Sequence, residues 1–358
     1  FIILMFIAYL SIFGIETKRF NNQIINKLKS FDRNLDIQLK TIKIVLDPLS
    51  FEINAKTIGS RLINNNKLIE IESLKTKISL KALIDNQFSI ENLEVSTKST
   101  SLSDFISFAR SLNQSPELYI FDKIIKKGFL IADIKIEFDT QGKIKNNYKI
   151  NGFIKDCKLS FNDKYIIDKL NFIFELQKDR LVFKDTNFKL DNLDFYSNNL
   201  TVKNTENKFF VKGEIDHQKF DIAGQQLDSF KSFFGKIKVK ELVFNSKNIF
   251  SFNLSKKLKL NNLKIVSKIN LTKLSILNDL SLKDFFPKIK DKIYLSNNNL
   301  EIEYKKKKLS IIGDGKILLQ DNEDEISYKI EKTNDDFKLE SVLKINENPL
   351  ILNLLNYE

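Results

Sequence analysis

Two side chains with reactive chemistry stand out because each of these residue types occurs once. The chain has a single cysteine, Cys157, and a single histidine, His217. Together they could form a thiolate–imidazole pair for nucleophilic catalysis, if the fold brought them together. A zinc ion usually draws on several cysteines and histidines, which this chain does not offer. The sequence therefore predicts a protein that is not an enzyme, with no catalytic residue, no metal ligand and no cofactor.

Three polar motifs also resemble sites of chemistry in other proteins. "GDG" (313–315) is interpreted as a turn, because no helix or Lys-Ser/Thr pair follows as in a phosphate-binding loop. "DNEDE" (321–325) lacks the spacing of a calcium loop and is interpreted as a solvated hairpin turn. "KKKK" (305–308) could bind anionic lipid headgroups, but an exposed β-turn is the favoured interpretation.

The charge of the chain does not indicate a nucleic-acid partner. The formal net charge is +12, which could suit nucleic acid or an anionic membrane. The lysines are spread along the whole chain, and no readout motif accompanies them. The abundance of Lys, Asn, Ile and Phe is typical of an A/T-biased genome. We therefore predict no binding to nucleic acid.

The first residues suggest a membrane segment. Residues 1–13 carry no charge and are almost entirely apolar. A membrane-spanning helix needs about 20 apolar residues, so 1–14 is predicted to be part of a transmembrane segment or signal sequence. The positive-inside rule compares both flanks, and the upstream flank is missing, so it does not orient the segment; Lys18 and Arg19 after the run on their own point towards a cytoplasmic body. The chain is expected to be truncated at both ends.

Four stretches have helical spacing. Residues 15–34 predict an amphipathic helix that leaves the membrane. Two helices are predicted near 101–127, the second beginning at Ser115 and Pro116 and ending at Gly128. Leucines three residues apart favour a further helix over 271–286.

From residue 35 to residue 358 an alternation of apolar and polar residues dominates. It is clearest over 130–138 and 148–154, and short polar turns separate the predicted strands. This pattern predicts a mainly β fold: a long, curled, antiparallel sheet with an N-terminal membrane helix and a few short helices. Such a sheet could form closed sandwiches with dry cores, or a trough with an apolar lining. The periodicity leaves both open.

The alternation slips by one residue in three similar stretches, 88–97, 188–197 and 258–267. An asparagine marks each slip: Asn92, Asn192 and Asn262. Asparagine tolerates left-handed backbone, and an extra residue there produces a β-bulge. We predict such a bulge in each stretch. A bulge at Asn192 would keep Leu193 and Phe195 on the same face as the apolar residues before it.

Parts of the chain resemble the AsmA/TamB-like proteins. The resemblance lies in "IKIVLDPLSFEINAKTIG" (42–59), in "LIEIESLKTKISLKALIDNQFSIENLEVSTKS" (68–99) and in the strand repeats of 151–215. It implies an inner-membrane, single-pass anchor and a periplasmic β-structure. Its apolar groove would move phospholipid towards the outer membrane, with an outer-membrane or periplasmic protein as a further partner. The family offers no catalytic residues.

We therefore expect a non-catalytic protein that holds phospholipid acyl chains in an apolar β-groove and transfers them between the inner and outer membranes. The alternative is a membrane-anchored β-sandwich scaffold, or envelope-assembly factor, without lipid conduction. The predicted groove residues alternate along successive strands; they are Leu130, Ile134, Ile136, Phe138, Ile150, Ile154, Phe172, Phe174, Leu181, Phe183, Phe188, Leu190, Leu193 and Phe195.

Overall fold

The fold is that of a computed structural model, in which the chain forms two compact units, Phe1–Leu190 (unit 1) and Asp191–Glu358 (unit 2). The sequence predicted one body and carries no linker composition at their boundary. The structure describes residues 1–18, 21–85, 90–161, 165–190, 193–205, 207–224, 227, 238–257, 259–278, 285–334 and 336–351.

Among its described residues, unit 1 contains five helices and twelve strands. They are α1 (Ile2–Ile12), β1 (Ile15–Thr17), α2 (Asn21–Phe31), β2 (Leu35–Gln38), β3 (Ile42–Asp47), β4 (Glu52–Ile58), β5 (Arg61–Asn64), β6 (Lys67–Ser79), α3 (Leu80–Ile84), β7 (Ile90–Thr97), β8 (Thr100–Ser101), α4 (Leu102–Leu112), α5 (Pro116–Ile124), β9 (Ile125–Glu137), β10 (Lys149–Phe161), β11 (Tyr165–Gln177) and β12 (Arg180–Leu190).

The described part of unit 2 is built of strands. They are β13 (Leu193–Asn204), β14 (Lys208–Ala223), β15 (Val239–Ser255), β16 (Leu260–Leu277), β17 (Lys292–Lys305), β18 (Lys308–Leu318), β19 (Glu323–Thr333) and β20 (Asp336–Lys344).

Every strand pair described is antiparallel, which confirms the mainly β, antiparallel fold. In unit 1 the strands pair in the order β1–β3–β4–β6–β7–β9–β10–β11–β12, and β2 and β5 form a short branch on β6. In unit 2, β13 to β20 form a meander in which each strand pairs with the next. Among the described residues, β20 pairs with β19 alone. Its outer edge is therefore open, and the sheet is not closed there.

The two predicted helices near 101–127 are present, but the second is shorter than predicted. Ser101 and Ser115 cap α4 and α5, each accepting a hydrogen bond from a backbone N–H three residues on. α5 ends at Ile124, and the chain continues directly into β9. Gly128 therefore lies within β9, with a φ of +143°, and does not end the helix as predicted.

The helix predicted over 271–286 is wrong for its described part. Residues 271–277 belong to β16, and 279–284 lie outside the described residues. A register shift places Thr272 as an extra residue between Leu271 and Lys273. This bulge puts Leu271 and Leu274 on one sheet face three residues apart, which mimics helical spacing.

Two of the polar motifs also differ from their predictions. "GDG" lies within β18, where a Cβ on Gly313 would come within 2.5 Å of the Tyr328 ring. Glycine is needed there for close packing, not for a turn. "DNEDE" lies at the hairpin between β18 and β19, as predicted, but it is not solvated throughout. Its Asp324 is buried, and the carboxylate accepts hydrogen bonds from Asn346 N (3.1 Å) and Asn348 Nδ2 (2.8 Å). By contrast, "KKKK" forms the turn between β17 and β18, as predicted.

The N-terminal apolar run forms the helix α1, whose side chains are largely exposed. Ile2, Leu4 and Ile12 expose 83%, 69% and 71% of their surface. In the part of the chain that the structure describes, no helix is long and apolar enough to cross a membrane. Beyond α1, the predicted 15–34 helix is represented by α2, preceded by β1.

Candidate functional site

The strand register gathers most of the predicted groove residues of unit 1 on one sheet face. Ile134 pairs with Ile150, which pairs through Leu176 with Leu181. Directly paired residues point to the same side of a sheet. Leu130, Ile154 and Phe172 pair in a second row on the same side of the sheet. Phe174 and Phe183 pair in the row that lies between these two. We call this side the apolar face of unit 1.

The remaining predicted residues are placed less uniformly. Ile136 lies two residues from Ile134 on the same strand, and Phe138 bridges Ile144 beyond the end of β9. Leu190 pairs with Ile167. Phe188 lies two residues before Leu190 on β12, so it points to the same side of the sheet. Leu193 and Phe195 belong to unit 2, where they pack against the buried side chains of Phe220 and Ile222.

The strands change phase through bulges at residues with left-handed backbone. Within the described strands, φ lies between 48° and 54° at Asp156, Lys169, Asp185, Asn262 and Asn297, and the register shifts beside each of them. At Asn262, one extra residue of β16 lies opposite β15, which confirms the bulge predicted in 258–267. The bulge keeps the apolar residues before and after it on one face.

The other two predicted bulges have different outcomes. In 88–97 the register shifts as predicted, with Glu91 as the extra residue. Asn92 is not left-handed; instead its Oδ1 accepts a hydrogen bond from Lys77 N at 3.1 Å, so the side chain supports the bulge. Asn192 lies outside the described residues.

Helix α4 covers part of the apolar face of unit 1. Leu102 packs with Leu130, Ala132 and Cys157 in a buried cluster. A Cβ on Gly128 would lie 2.6 Å from Leu102 Cδ1, so glycine allows the helix to approach β9 closely. The groove predicted at Leu130 is therefore filled by the protein's own helix.

Cys157 and His217 lie in different units, each in apolar surroundings. Burial raises the pKa of the Cys157 thiol to about 11, which keeps it protonated near neutral pH. His217 is buried beside Phe220 and Phe244, and its Nδ1 donates a hydrogen bond to the carbonyl oxygen of Asp194. Among the described residues, no group of His, Cys, Asp and Glu could hold a metal ion.

In unit 2, one face of the meander carries two rows of apolar side chains that are only half-buried. One row runs through Phe250, Ile265, Tyr304 and Leu309, each paired with the next. A second row runs through Ile302, Ile311 and Ile330. The substantial contacts of the described strands of unit 2 are with their neighbours in the meander. We call the residues of these two rows the open apolar face.

The opposite end of the same face is closed. Ile293, Ile317 and Leu319 form a buried cluster. Beside it, the fully buried Gln320 accepts a hydrogen bond from Lys288 N (3.0 Å) and donates one to the Pro349 carbonyl (2.8 Å). Gln320 thus fixes two flanking segments next to this cluster, and the open apolar face lies at the other ends of the strands.

A polar cleft lies across β14–β17 on the other side of the sheet. Its volume is about 560 Å³, and Asn245, Asn270 and Asn299 line it in register. Lys268 and Glu301 also line the cleft and form an exposed ion pair, with Lys268 Nζ 3.2 Å from Glu301 Oε1. The cleft contrasts with the open apolar face, because its walls hold amides and charges.

Comparisons of the chain with protein families, with curated proteins and with solved structures give no match. The predicted residues did not include the open apolar face of unit 2. Its signal was present in the sequence, because apolar residues alternate over 300–304, 309–311 and 326–330.

Proposed function

We propose that the protein holds the acyl chains of phospholipid on the open apolar face and transfers lipid without chemistry. The observation that carries this proposal is that Phe250, Ile265 and Tyr304 form a continuous row that remains half-exposed. Exposed contiguous apolar surface is typical of a binding site.

The composition of the face suits an acyl chain. Each methylene group that leaves water contributes about 0.8 kcal/mol, so a long chain along several strands would gain substantial binding energy. The two rows contain no charged residue. Nearby, the side chain of Asn248 is hydrogen-bonded within the protein: its Nδ2 donates to Ser246 Oγ at 3.0 Å and to the Ile215 carbonyl at 2.9 Å.

Attachment to a membrane is part of the proposal. The exposed apolar side chains of α1 would gain free energy by entering the bilayer. The AsmA/TamB-like resemblance implies that this membrane is the inner membrane and that the strands lie in the periplasm. Transfer would then run between the inner and outer membranes, with an outer-membrane or periplasmic protein as receiver.

Two adjacent residues of β15 provide a matched test. Phe250 lies on the open apolar face, whereas Ile249 lies on the other side and is 46% exposed. We expect Phe250→Glu to remove most of the phospholipid that copurifies with the full chain, measured by mass spectrometry of the organic extract. Ile249→Glu should leave it unchanged. Equal lipid in both variants, or none in the wild type, would contradict the proposal.

The second candidate is a membrane-anchored scaffold without lipid conduction. The closed cluster of Leu102, Leu130 and Cys157 in unit 1 favours it, because there the apolar face is a buried core. A scaffold predicts that Phe250→Glu unfolds the protein as severely as a charge in that cluster. The unfolding free energy of the two variants therefore distinguishes the two functions.

A further inference from the structure

One end of the unit 1 sheet carries strongly exposed apolar side chains on three connections. A single row of paired residues marks this end: Val45, Asn54, Lys77, Asn92 and Glu137. The connections that follow this row are the β3–β4 turn, α3 and the segment between β9 and β10. Their exposed apolar residues are Leu49 (98%), Phe51 (55%), Ile84 (71%) and Ile144 (58%). We call these four residues the apolar rim.

The β3–β4 turn is shaped by hydrogen bonds. Asp47 Oδ1 accepts hydrogen bonds from Leu49 N (3.1 Å) and Ser50 N (3.2 Å). Phe51 has a left-handed backbone, with a φ of 59°, which is uncommon for a bulky residue. Its carbonyl oxygen accepts a hydrogen bond from Leu80 N at 3.0 Å, which joins the turn to the start of α3. These contacts shape the turn around a leucine that is almost fully exposed.

The segment between β9 and β10 is built in the same way. Asp139 Oδ1 accepts hydrogen bonds from the backbone N–H groups of Gln141 and Lys143, both at 2.9 Å. Lys145 N donates to the last carbonyl oxygen of β9 at 2.8 Å. Ile144 lies between the two lysines and is exposed. A carboxylate thus shapes a turn around an exposed apolar side chain at two separate places, which differs from the ordinary scatter of single exposed residues.

Helix α1 leaves the sheet at the same end. Ile15 pairs with Ile44, and from there β3 continues for three residues, or about 10 Å, towards the β3–β4 turn. Only Phe13 and Gly14 separate α1 from β1, and two residues extend at most about 7 Å. This connection is packed against β3, because a Cβ on Gly14 would come within 2.4 Å of Ile44 O. If α1 lies in a membrane, the β3–β4 turn therefore lies beside that membrane.

We propose that the apolar rim is a second membrane contact, whose side chains enter the interface of a phospholipid bilayer beside α1. The proposal rests on the membrane attachment of α1 that the proposed function includes. Lysines and aspartates occur in equal number in and beside the three connections: Lys81, Lys143, Lys145, Asp47, Asp85 and Asp139. The contact therefore depends on apolar insertion and not on net charge. Two contacts fix the orientation of the unit 1 sheet relative to the membrane, which one helix alone does not.

Quenching of site-specific probes by lipid tests the rim. Leu49→Cys, Ile144→Cys and Ile58→Cys are each made in the full chain, labelled with a fluorophore and reconstituted with phosphatidylcholine vesicles. The native Cys157 is buried, so the introduced thiol reacts first. Ile58 is the control, because it is 59% exposed but lies at the opposite end of β4. Brominated lipid should quench most of the fluorescence at 49 and 144 and almost none at 58. Quenching at either rim position that is no greater than at 58 would overturn the proposal.

A fourth probe separates this proposal from the proposed function. Ile12→Cys reports on α1 itself, because Ile12 is the last residue of that helix. Quenching at 12 without quenching at the rim would overturn the rim contact and leave the attachment of α1 intact. Quenching at the rim without quenching at 12 would support the rim contact and contradict attachment through α1.

A charge on the rim gives a second readout. Leu49→Asp should raise about tenfold the rate at which the protein leaves these vesicles for an excess of acceptor vesicles, because a leucine side chain no longer leaves water. Ile58→Asp should leave this rate unchanged. Since Leu49 is almost fully exposed, the substitution should preserve the fold, which circular dichroism checks. An unchanged rate in Leu49→Asp would contradict the rim contact.

Discussion

In unit 1 the helix α4 lies against the apolar sheet face, whereas in unit 2 no described helix lies against the corresponding face. The strands themselves are similar in both units, with apolar residues in register and bulges that hold them on one side. The difference comes from the insertion between β8 and β9, which supplies α4 and α5. The side chains of the strands make a face apolar, and the segments that connect the strands determine whether that face is covered as a core or left exposed.

The strongest test of this contrast places a charge on each face. Leu130 is 4% exposed beneath α4, so Leu130→Glu buries a carboxylate without a partner. We expect it to lower the free energy of unfolding by at least about 4 kcal/mol. Phe250→Glu on the open apolar face should cost less than about 2 kcal/mol, because the carboxylate can reach water. Chemical denaturation measures both, and equal losses would contradict the contrast.

The close approach of α4 predicts the next largest effect. Gly128→Ala forces an alanine into φ +143° and against Leu102, and we expect a loss of about 2–3 kcal/mol. Shortening Leu102 should relieve its share of the steric clash, the rest of which comes from Cys157 Cα at 3.0 Å, so Leu102→Ala and Gly128→Ala should be non-additive in a double-mutant cycle. Gly224→Ala is the control: its φ is +61°, but no atom lies near the added Cβ. Strict additivity would show that α4 does not press on Gly128.

The bulge at Asn262 predicts a smaller effect. Asn262→Val places a β-branched residue at φ +54°, which should cost about 1–2 kcal/mol, whereas Asn262→Gly should be nearly neutral. At Asn92 glycine should behave differently. There Asn92→Gly should be destabilising, because the hydrogen bond that the side chain accepts from Lys77 N is lost. Thermal unfolding of the variants measures these effects, and equal effects of glycine at positions 92 and 262 would contradict two separate bulge mechanisms.

The single thiol provides a small, pH-dependent effect. Its pKa is raised by burial in the fold, so the unfolded chain loses this proton at lower pH than the native protein does. This contribution to stability is therefore complete below the unfolded pKa and is lost as pH rises towards about 11. Cys157 should label with a maleimide slowly at pH 7 and rapidly in denaturant. Fast labelling of the native protein would contradict its burial.

The sequence predicted the fold class, the positions of α4 and α5, and the bulge at Asn262, because these depend on local spacing and capping. It failed where tertiary packing competes with local signals. Gly128 looked like a helix end but makes room for Leu102. Leu271 and Leu274 looked helical because a bulge separates them. Coverage by α4 was also not predictable, since alternation shows that a face is apolar and not what covers it.

The most direct test of lipid binding compares neighbouring positions on the two sides of β17. Ile302 lies on the open apolar face, and Glu301 lies on the opposite side. A photo-reactive residue is introduced at each position of the full chain, and cross-linked phospholipid is measured by mass spectrometry. The proposal predicts a strong lipid adduct at 302 and little at 301. Equal adducts at both positions, or none at 302, would contradict it.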